Sequence, residues 1–145
     1  MSSLSAKIRT ALYAKLNVAS VVGSGKASAV YHQVAPLEAV YPFIVFNRVP
    51  GLVNYAFQNT NHGERDIWFI KCLSDKGVNS AKSPQELNDE ILLLAETAIG
   101  NTLTISGATV SRVTRIADIP EIIETISDRD IFQHGFQLEV YASPN

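Results

Sequence analysis

The sequence has almost no cysteine, the residue that cross-links many small proteins through disulfides or zinc. Its 145 residues include a single cysteine, Cys72, so neither a disulfide framework nor a cysteine-rich zinc site can form. Long apolar runs are missing as well. No stretch reaches the roughly 18 consecutive apolar residues of a membrane span, and no apolar run follows Lys7 as it would in a signal peptide. We therefore expect a chain made in the cytosol, with no metal, no cofactor and no membrane partner.

An excess of charge of one sign is lacking too. Lysine and arginine number 12, aspartate and glutamate number 14, and the net charge is -2. Such a balance creates no field that would hold phosphates or anionic lipids, which argues against a dedicated sequence-specific DNA-binding protein. Charged residues make up 18% of the chain, below the roughly 25% typical of soluble domains. A sparsely charged surface fits a subunit of an assembly, and ordinary scatter in composition explains it equally well.

Groups that could catalyse a reaction are scattered along the chain. His32, His62 and His134 fall in a strand, a turn and another strand that are far apart in the sequence, whereas catalysis needs titratable groups that converge. His134 lies on the apolar face of its strand, which favours a core or rim histidine. Cys72 lies within an apolar strand, which favours a buried thiol over a nucleophile. The sequence therefore predicts that the protein is not an enzyme.

Carboxylates concentrate between Asp118 and Asp130. They could in principle hold a hard cation, but Arg129 stands among them and the ligand spacing of a cation-binding loop is missing. A solvated acidic face is the favoured interpretation. The pair Gly23 and Gly25 similarly favours a turn over a phosphate-binding loop, because no strand precedes it and no Lys-Ser or Lys-Thr pair follows it.

The first half of the chain predicts one helix and three strands. Apolar residues recur at helical spacing from Leu4 to Leu16, and Ser3 stands where a helix cap belongs. A short strand follows at 29–34. Two further strands, at 42–49 and 65–73, are expected to pair in antiparallel fashion.

The second half predicts one helix followed by three strands. Ser83, Pro84 and Glu86 form a strong helix start, and Gly100 stands just after the apolar stripe that this helix carries. Alternating patterns then predict strands at 102–105, 108–116 and 132–140, with an acidic segment of no predicted structure at 118–130.

This order of elements predicts an α+β fold over residues 1–145, in one domain. A mostly antiparallel sheet would carry two helices packed on one face. Ile67 and Phe69 would point away from the helix-facing Trp68 and Ile70, which leaves a second apolar face. A neighbouring subunit is the simplest cover for that face.

The segment from Pro50 to His62 exceeds the ~2–5 residues of a normal hairpin loop, which predicts a long β-hairpin or arm between two central strands. Exposed Tyr55 and Phe57 on this arm are expected to dock on a partner; the alternative is that both rings fold back onto the chain's own sheet. The arm, the second sheet face and the acidic segment together define the predicted interface, which comprises Tyr55, Phe57, Asn59, His62, Arg65, Ile67, Phe69, Asp118, Glu121, Glu124, Asp128 and Asp130.

Three stretches of the sequence carry a resemblance to a known family. They are Ala11-Leu12-Tyr13-Ala14-Lys15-Leu16, His32-Gln33-Val34-Ala35-Pro36 and Tyr41-Pro42-Phe43-Ile44-Val45-Phe46. With the order of elements and the closing strand Phe136-Gln137-Leu138-Glu139-Val140, the chain resembles the tail-terminator (tail-completion) proteins of long-tailed bacteriophages and related gene-transfer particles. The likeness covers nearly the whole chain. Residues 26–29 and the length of the acidic segment depart from the family.

The resemblance implies a structural virion protein at the tail-neck junction. Six copies would form a ring that caps the tail tube, stops its polymerisation and joins the tail to a head-completion or stopper protein of the neck. DNA would pass through the lumen without sequence-specific binding. A chain of this length forms a body about 38 Å across, and about five or more such bodies are needed to enclose a hole that passes a duplex roughly 20 Å wide.

Two other functions stay open. A tail-tube subunit would share the sheet and the ring but would polymerise into tubes. A stand-alone dimeric α+β domain, either a ligand-binding module or a small enzyme, would bury its second sheet face against one partner and present a pocket with convergent polar groups.

Overall fold

The computed structural model describes residues 4–49, 64–75, 82–126 and 128–144. Within these ranges the chain forms two helices and five strands, in the order α1 Leu4–Leu16, β1 Val30–His32, β2 Phe43–Arg48, β3 Glu64–Asp75, α2 Pro84–Ile99, β4 Ala108–Ile126 and β5 Arg129–Pro144. The predicted α+β class is confirmed.

The five strands form one sheet in the order β1-β2-β3-β5-β4. β1 runs parallel to β2, and every other neighbouring pair is antiparallel. The predicted antiparallel pairing of β2 with β3 is confirmed, with Phe43 opposite Leu73 and Arg48 opposite Trp68. This order makes β1 and β4 the two edges of the sheet and gives β5 a neighbour on each side.

Helix α1 forms because an apolar residue stands at every fourth position of one stripe. Ile8, Leu12 and Leu16 are fully buried, since residues four apart lie on the same face of a helix. At the start of the helix, the Ser5 hydroxyl donates a hydrogen bond to the Asp66 carboxylate on β3, 2.9 Å away. The apolar stripe and this buried carboxylate fix α1 to the sheet.

Helix α2 begins and ends where the sequence predicts. The Ser83 side chain accepts a hydrogen bond from the Glu86 backbone N–H at 3.2 Å, and Pro84 occupies the first turn, where no backbone donor is needed. Gly100 has a φ of 67°, and its N–H reaches the Glu96 carbonyl at 3.0 Å. Glycine adopts that left-handed conformation without a steric cost, which ends the helix cleanly.

Both helices pack against the same face of the sheet. Trp68 and Ile70 on β3 and Phe136 on β5 belong to one buried cluster with the apolar faces of α1 and α2. Phe136, Leu138 and Val140 enter this cluster from alternate positions of β5, as the sequence pattern predicts. Full burial of each large apolar side chain stabilises the fold by about 1.5–3 kcal/mol.

The region after α2 differs from the prediction. Residues 102–105 form no strand, and the predicted strand at 108–116 is much longer, because β4 continues to Ile126 through the acidic segment. Pairing with β5 explains the extension: the ladder runs from Ala108 opposite Pro144 to Ile126 opposite Arg129. Backbone groups make this ladder, so it does not need alternating apolar side chains.

Pro120 lies inside β4 without breaking it. Proline has no N–H to give to a ladder and is tolerated at edges and bulges. The register of β4 on β5 shifts between Ile119 and Ile122, and β4 is an edge strand. The chain then turns through Asp128, whose φ is 65°, into β5.

Gly135 on β5 permits the close approach of β3. A Cβ atom at this position would lie 1.9 Å from the Ile70 carbonyl oxygen and 2.9 Å from Lys71 Cα, both of which are backbone atoms. We expect Gly135→Ala to lower the free energy of unfolding by about 1–3 kcal/mol, since β3 and β5 must move apart. Chemical denaturation measures the change. Gln137→Ala, on the same face of β5, is the control, and equal stability of the two variants would contradict the prediction.

Candidate assembly surfaces

The histidines of the described chain do not converge on a reaction site. His32 packs against the rings of Phe46 and Trp68, with centroid distances of 5.2 and 6.2 Å. Burial lowers the pKa of His32, and the positive charge of Arg9 lowers it further. His134 Nε2 lies 2.7 Å from Asp89 Oδ1. Each histidine thus belongs to its own local packing arrangement.

Cys72 is fully buried in the core cluster, and burial raises the pKa of its thiol. The reactive thiolate is therefore disfavoured at this position. Among the described residues, no group of three or more histidine, cysteine, aspartate or glutamate side chains could hold a metal ion. In the same ranges, neither helix has the length and apolar character that crossing a membrane requires.

The most conspicuous surface of the described chain is the free edge of β4. This strand has 19 residues and pairs with β5 on one side, so the backbone groups of its other side face outward. Four large apolar side chains along it are 42–54% exposed, namely Ile116, Ile122, Ile123 and Ile126. We call residues 116–126 the ribbon edge. A long exposed edge with apolar side chains invites pairing with another chain.

Acidic side chains accompany the ribbon edge. Asp118 pairs with Arg115, which also bonds Glu96 on α2 at 2.6 Å. Glu121, Glu124, Asp128 and Asp130 are exposed and, among the described residues, make no ion pair. The structure therefore brings the five predicted acidic interface residues onto one ribbon, formed by β4 and the turn into β5.

A second charged surface, formed by α1 and the loop that follows it, is basic. Residues 4–37 contain four lysine or arginine residues and no aspartate or glutamate; the four are Lys7, Arg9, Lys15 and Lys26. Lys7 and Lys26 donate hydrogen bonds to backbone carbonyls, of Ser106 at 2.7 Å and of Ala19 at 2.9 Å. Within the described ranges, none of the four pairs with a carboxylate. We call α1, β1 and the loop that joins them the basic side.

The basic side was not predicted from the sequence, although the absence of acidic residues from the start of the chain is visible there. The first acidic residue of the chain is Glu38, so the whole amino-terminal quarter has one sign of charge. The overall net charge hides this separation because the acidic residues are concentrated later in the chain. Exposed apolar groups lie on this side as well: Tyr13 and Val18 are 42% and 37% exposed.

The apolar side chains on the second face of the sheet are less exposed than predicted. Ile67 and Phe69 do point away from the core cluster, but Ile67 is only 2% exposed and Phe69 is half-buried, with Lys71 Nζ 5.5 Å from its ring centroid. The isolated chain thus already covers much of this face. An interface role for both residues stays a prediction.

A three-strand ion network also lies on the second face. Arg65 on β3 donates to the Glu139 carboxylate at 2.5 Å, and Arg112 on β4 donates to it at 3.2 Å. Glu139 is 6% exposed. Burial raises its pKa, but hydrogen bonds from Arg65 and Arg112 lower it by more, so the net pKa lies below the ordinary value of 4.5. The predicted interface residue Arg65 is therefore engaged within its own chain.

An open cleft of about 620 Å³ lies between the segment before β2 and the turn into β5. Val40 and Tyr41 line one wall, and Ile126 and Arg129 line the other. Arg129 pairs with Asp75 and lies 5.7 Å from the Tyr41 ring centroid. Asp75 thus already pairs with the one cation of this cleft, and Glu38 is the one carboxylate among the described residues that line it, so the cleft holds no convergent set of polar groups.

The predicted arm lies outside the described residues. Tyr55, Phe57, Asn59 and His62 all fall within 50–63, so their interface role stays a prediction.

Comparisons with known proteins bear on the fold. No protein-family model matches the chain, and no curated protein matches it. Among solved structures, the chain is similar to one in "Virion of native gene transfer agent (GTA) particle", with a TM-score of 0.57 and 16% sequence identity. The match covers 97% of this chain and 99% of the other. At this identity the likeness shows a shared fold over the full length of both chains.

Glu139 gives a pH-dependent prediction. Because its folded pKa is lowered, its ion network adds stability above the unfolded pKa, and this stability is lost as the pH falls through the folded pKa. The wild-type chain should therefore lose more unfolding free energy than Glu139→Gln between about pH 6 and about pH 3. Denaturant titrations at several pH values measure this. Glu124→Gln, outside any described ion pair, is the control, and parallel curves for wild type and Glu139→Gln would contradict the assignment.

Proposed function

We propose that the protein is a structural component of a phage or gene-transfer virion and that it works as a tail terminator. Six copies form a ring that caps the tail tube, stops its polymerisation and joins the tail to a head-completion or stopper protein of the neck. The observation that carries the proposal is the ribbon edge, whose unpaired backbone and exposed isoleucines suit a subunit that is covered by a neighbour.

The comparison with known structures supports the same proposal. The similar chain belongs to a particle described as the virion of a gene transfer agent, and the likeness leaves almost no residue of either chain unmatched. A virion subunit meets copies of itself and other proteins on several sides. Exposed apolar groups at the ribbon edge, on the basic side and in the cleft fit such a set of contacts.

The charge of the chain fits a conduit for DNA. A net charge of -2 over 145 residues would not hold the phosphate backbone as a strongly basic lumen would. In this proposal the protein passes DNA without binding its sequence, and it catalyses no reaction. The local partners of His32, His134 and Arg129 are consistent with a structural role.

The state of the purified protein tests the proposal. We expect native mass spectrometry and negative-stain electron microscopy of the purified chain to show discrete closed rings of six copies, whose proportion rises with protein concentration. Long tubes would instead identify a tail-tube subunit. Two-fold dimers at every concentration would identify a stand-alone domain. Rings added to growing tail tubes should stop further growth, and tubes that continue to lengthen would contradict the terminator function.

A substitution in the ribbon edge tests whether that edge carries assembly. Ile123 is 54% exposed, so Ile123→Asp should change the unfolding free energy by no more than about 0.5 kcal/mol while abolishing rings. Asn101 is exposed just after α2 and, in the described chain, lines no groove with the ribbon edge, so Asn101→Asp should still assemble. Sedimentation velocity separates the species. Rings formed by Ile123→Asp at the wild-type concentration dependence would exclude the ribbon edge as an interface.

A further inference from the structure

The ribbon edge and the basic side are separate surfaces of the described chain. β4 is the last strand in the sheet order and β1 is the first, so four spacings between neighbouring strands, or about 19 Å, separate these two strands. α1 lies on the helix-covered face, where it contacts β1, and Lys7 reaches the Ser106 carbonyl just before β4. Within the described residues no ion pair joins the two surfaces, which leaves their opposite charges available to a second copy.

The two surfaces are complementary in charge. Glu121, Glu124, Asp128 and Asp130 carry negative charge without an ion pair among the described residues. On the basic side, Arg9 is exposed next to β1, close enough for its charge to act on His32. Lys26, in the loop that leads to β1, has the Ala19 carbonyl as its bonding partner. Opposite charges that find no carboxylate or cation within the chain can be satisfied between chains.

Apolar side chains accompany the charges on both surfaces. Ile122 and Ile123 lie among the acidic residues and are 48% and 54% exposed. Tyr13 lies one helical turn after Arg9 on the same side of α1 and is 42% exposed. A contact between the two surfaces would therefore combine a small apolar centre with charges around it, as is common in protein interfaces.

We infer that the ribbon edge of one copy docks on the basic side of the next copy, so that the ring is built from head-to-tail contacts. The inference rests on the proposed function, because it specifies which surfaces form the ring. A contact of ribbon on ribbon would place one acidic surface against another, and like charges would repel. A head-to-tail contact joins two different surfaces, and repeated contacts of that kind close into a ring when the rotation permits.

Charge reversal on each surface gives the decisive experiment. The ribbon variant combines Glu121→Lys, Glu124→Lys and Asp130→Asn, which leaves Asp128 against two lysines, since Asp118 is paired with Arg115. The side variant combines Arg9→Glu, Lys15→Glu and Lys26→Glu, which leaves Lys7 against three carboxylates. Each variant alone then presents two surfaces of the same sign and should stay monomeric under conditions where the wild type forms rings. Thermal melting and circular dichroism confirm that each is folded.

Mixing the ribbon variant with the side variant should restore assembly. In a mixture, the basic ribbon of one variant meets the acidic side of the other, and the acidic ribbon meets the basic side, so every contact is again complementary. Native mass spectrometry should find rings with an even number of copies in which the two variants alternate in equal number. A reciprocal two-fold contact between the same surfaces would instead give closed pairs with one copy of each variant and no larger species. An interface made elsewhere on the surface predicts no dependence on mixing.

A matched control separates local from overall charge. Glu90→Lys, Thr97→Lys, Asn101→Lys and Thr102→Lys together add the same positive charge as the ribbon variant, at exposed positions on and after α2. This control variant should assemble like the wild type. Rings formed by either reversed variant alone, or a mixture that stays monomeric, would overturn the head-to-tail contact.

The outcomes also separate this inference from the proposed function. Wild-type rings that survive either charge reversal would overturn the contact and leave the terminator ring standing. Wild-type tubes that each reversal abolishes and mixing restores would support the contact and overturn the terminator function. A wild-type chain and a mixture that both remain monomeric would overturn the two together.

Discussion

Strand β5 is the constraint on which the rest of the structure depends. It is hydrogen-bonded to β3 on one side and to β4 on the other along nearly its whole length. Gly135 lets the β3 backbone approach more closely than any side chain would allow. From the same strand, Phe136 enters the helix-covered core and Glu139 ties Arg65 and Arg112 together on the opposite face. β5 thus couples the sheet, the core and the second face.

The position of β5 also determines which surfaces remain free. Since β5 pairs with β3 and β4, β4 is left at the edge of the sheet, and among the described residues its ribbon edge has a strand partner on one side. The helices cover the sheet from one face: α2 lies on β3 and β5 and touches β4 through Glu96 and Arg115, and α1 contacts β1. The acidic ribbon edge and the basic residues of α1 and its following loop are thus separate surfaces, and charge separation of this kind suits a subunit that repeats around a ring.

The sequence also misleads in instructive ways. Ile67 and Phe69 have the alternation of an exposed apolar face, yet Ile67 is buried within the chain and Phe69 is partly covered. Arg65, which looks like a free surface cation in the sequence, is held by a carboxylate that lies 74 positions away. Burial and pairing at such separations depend on how strands are ordered in the sheet, and no local pattern records that order.

The sequence by itself determined the two helices, the caps of α2 and the alternation of the last strand, because each depends on residues within a few positions of one another. The predicted α1 cap, Ser3, lies outside the described residues. Ser83 and Gly100 bound α2 for reasons of backbone hydrogen bonding and glycine conformation that neighbours in the chain already decide. The extent of β4 and its place at the edge of the sheet were decided by tertiary structure alone. Residues 117–126 lack a strand pattern and become a strand because β5 offers them a backbone ladder. Likewise, the acidic residues of the sequence lie along a free edge only because the sheet order places β4 at one end.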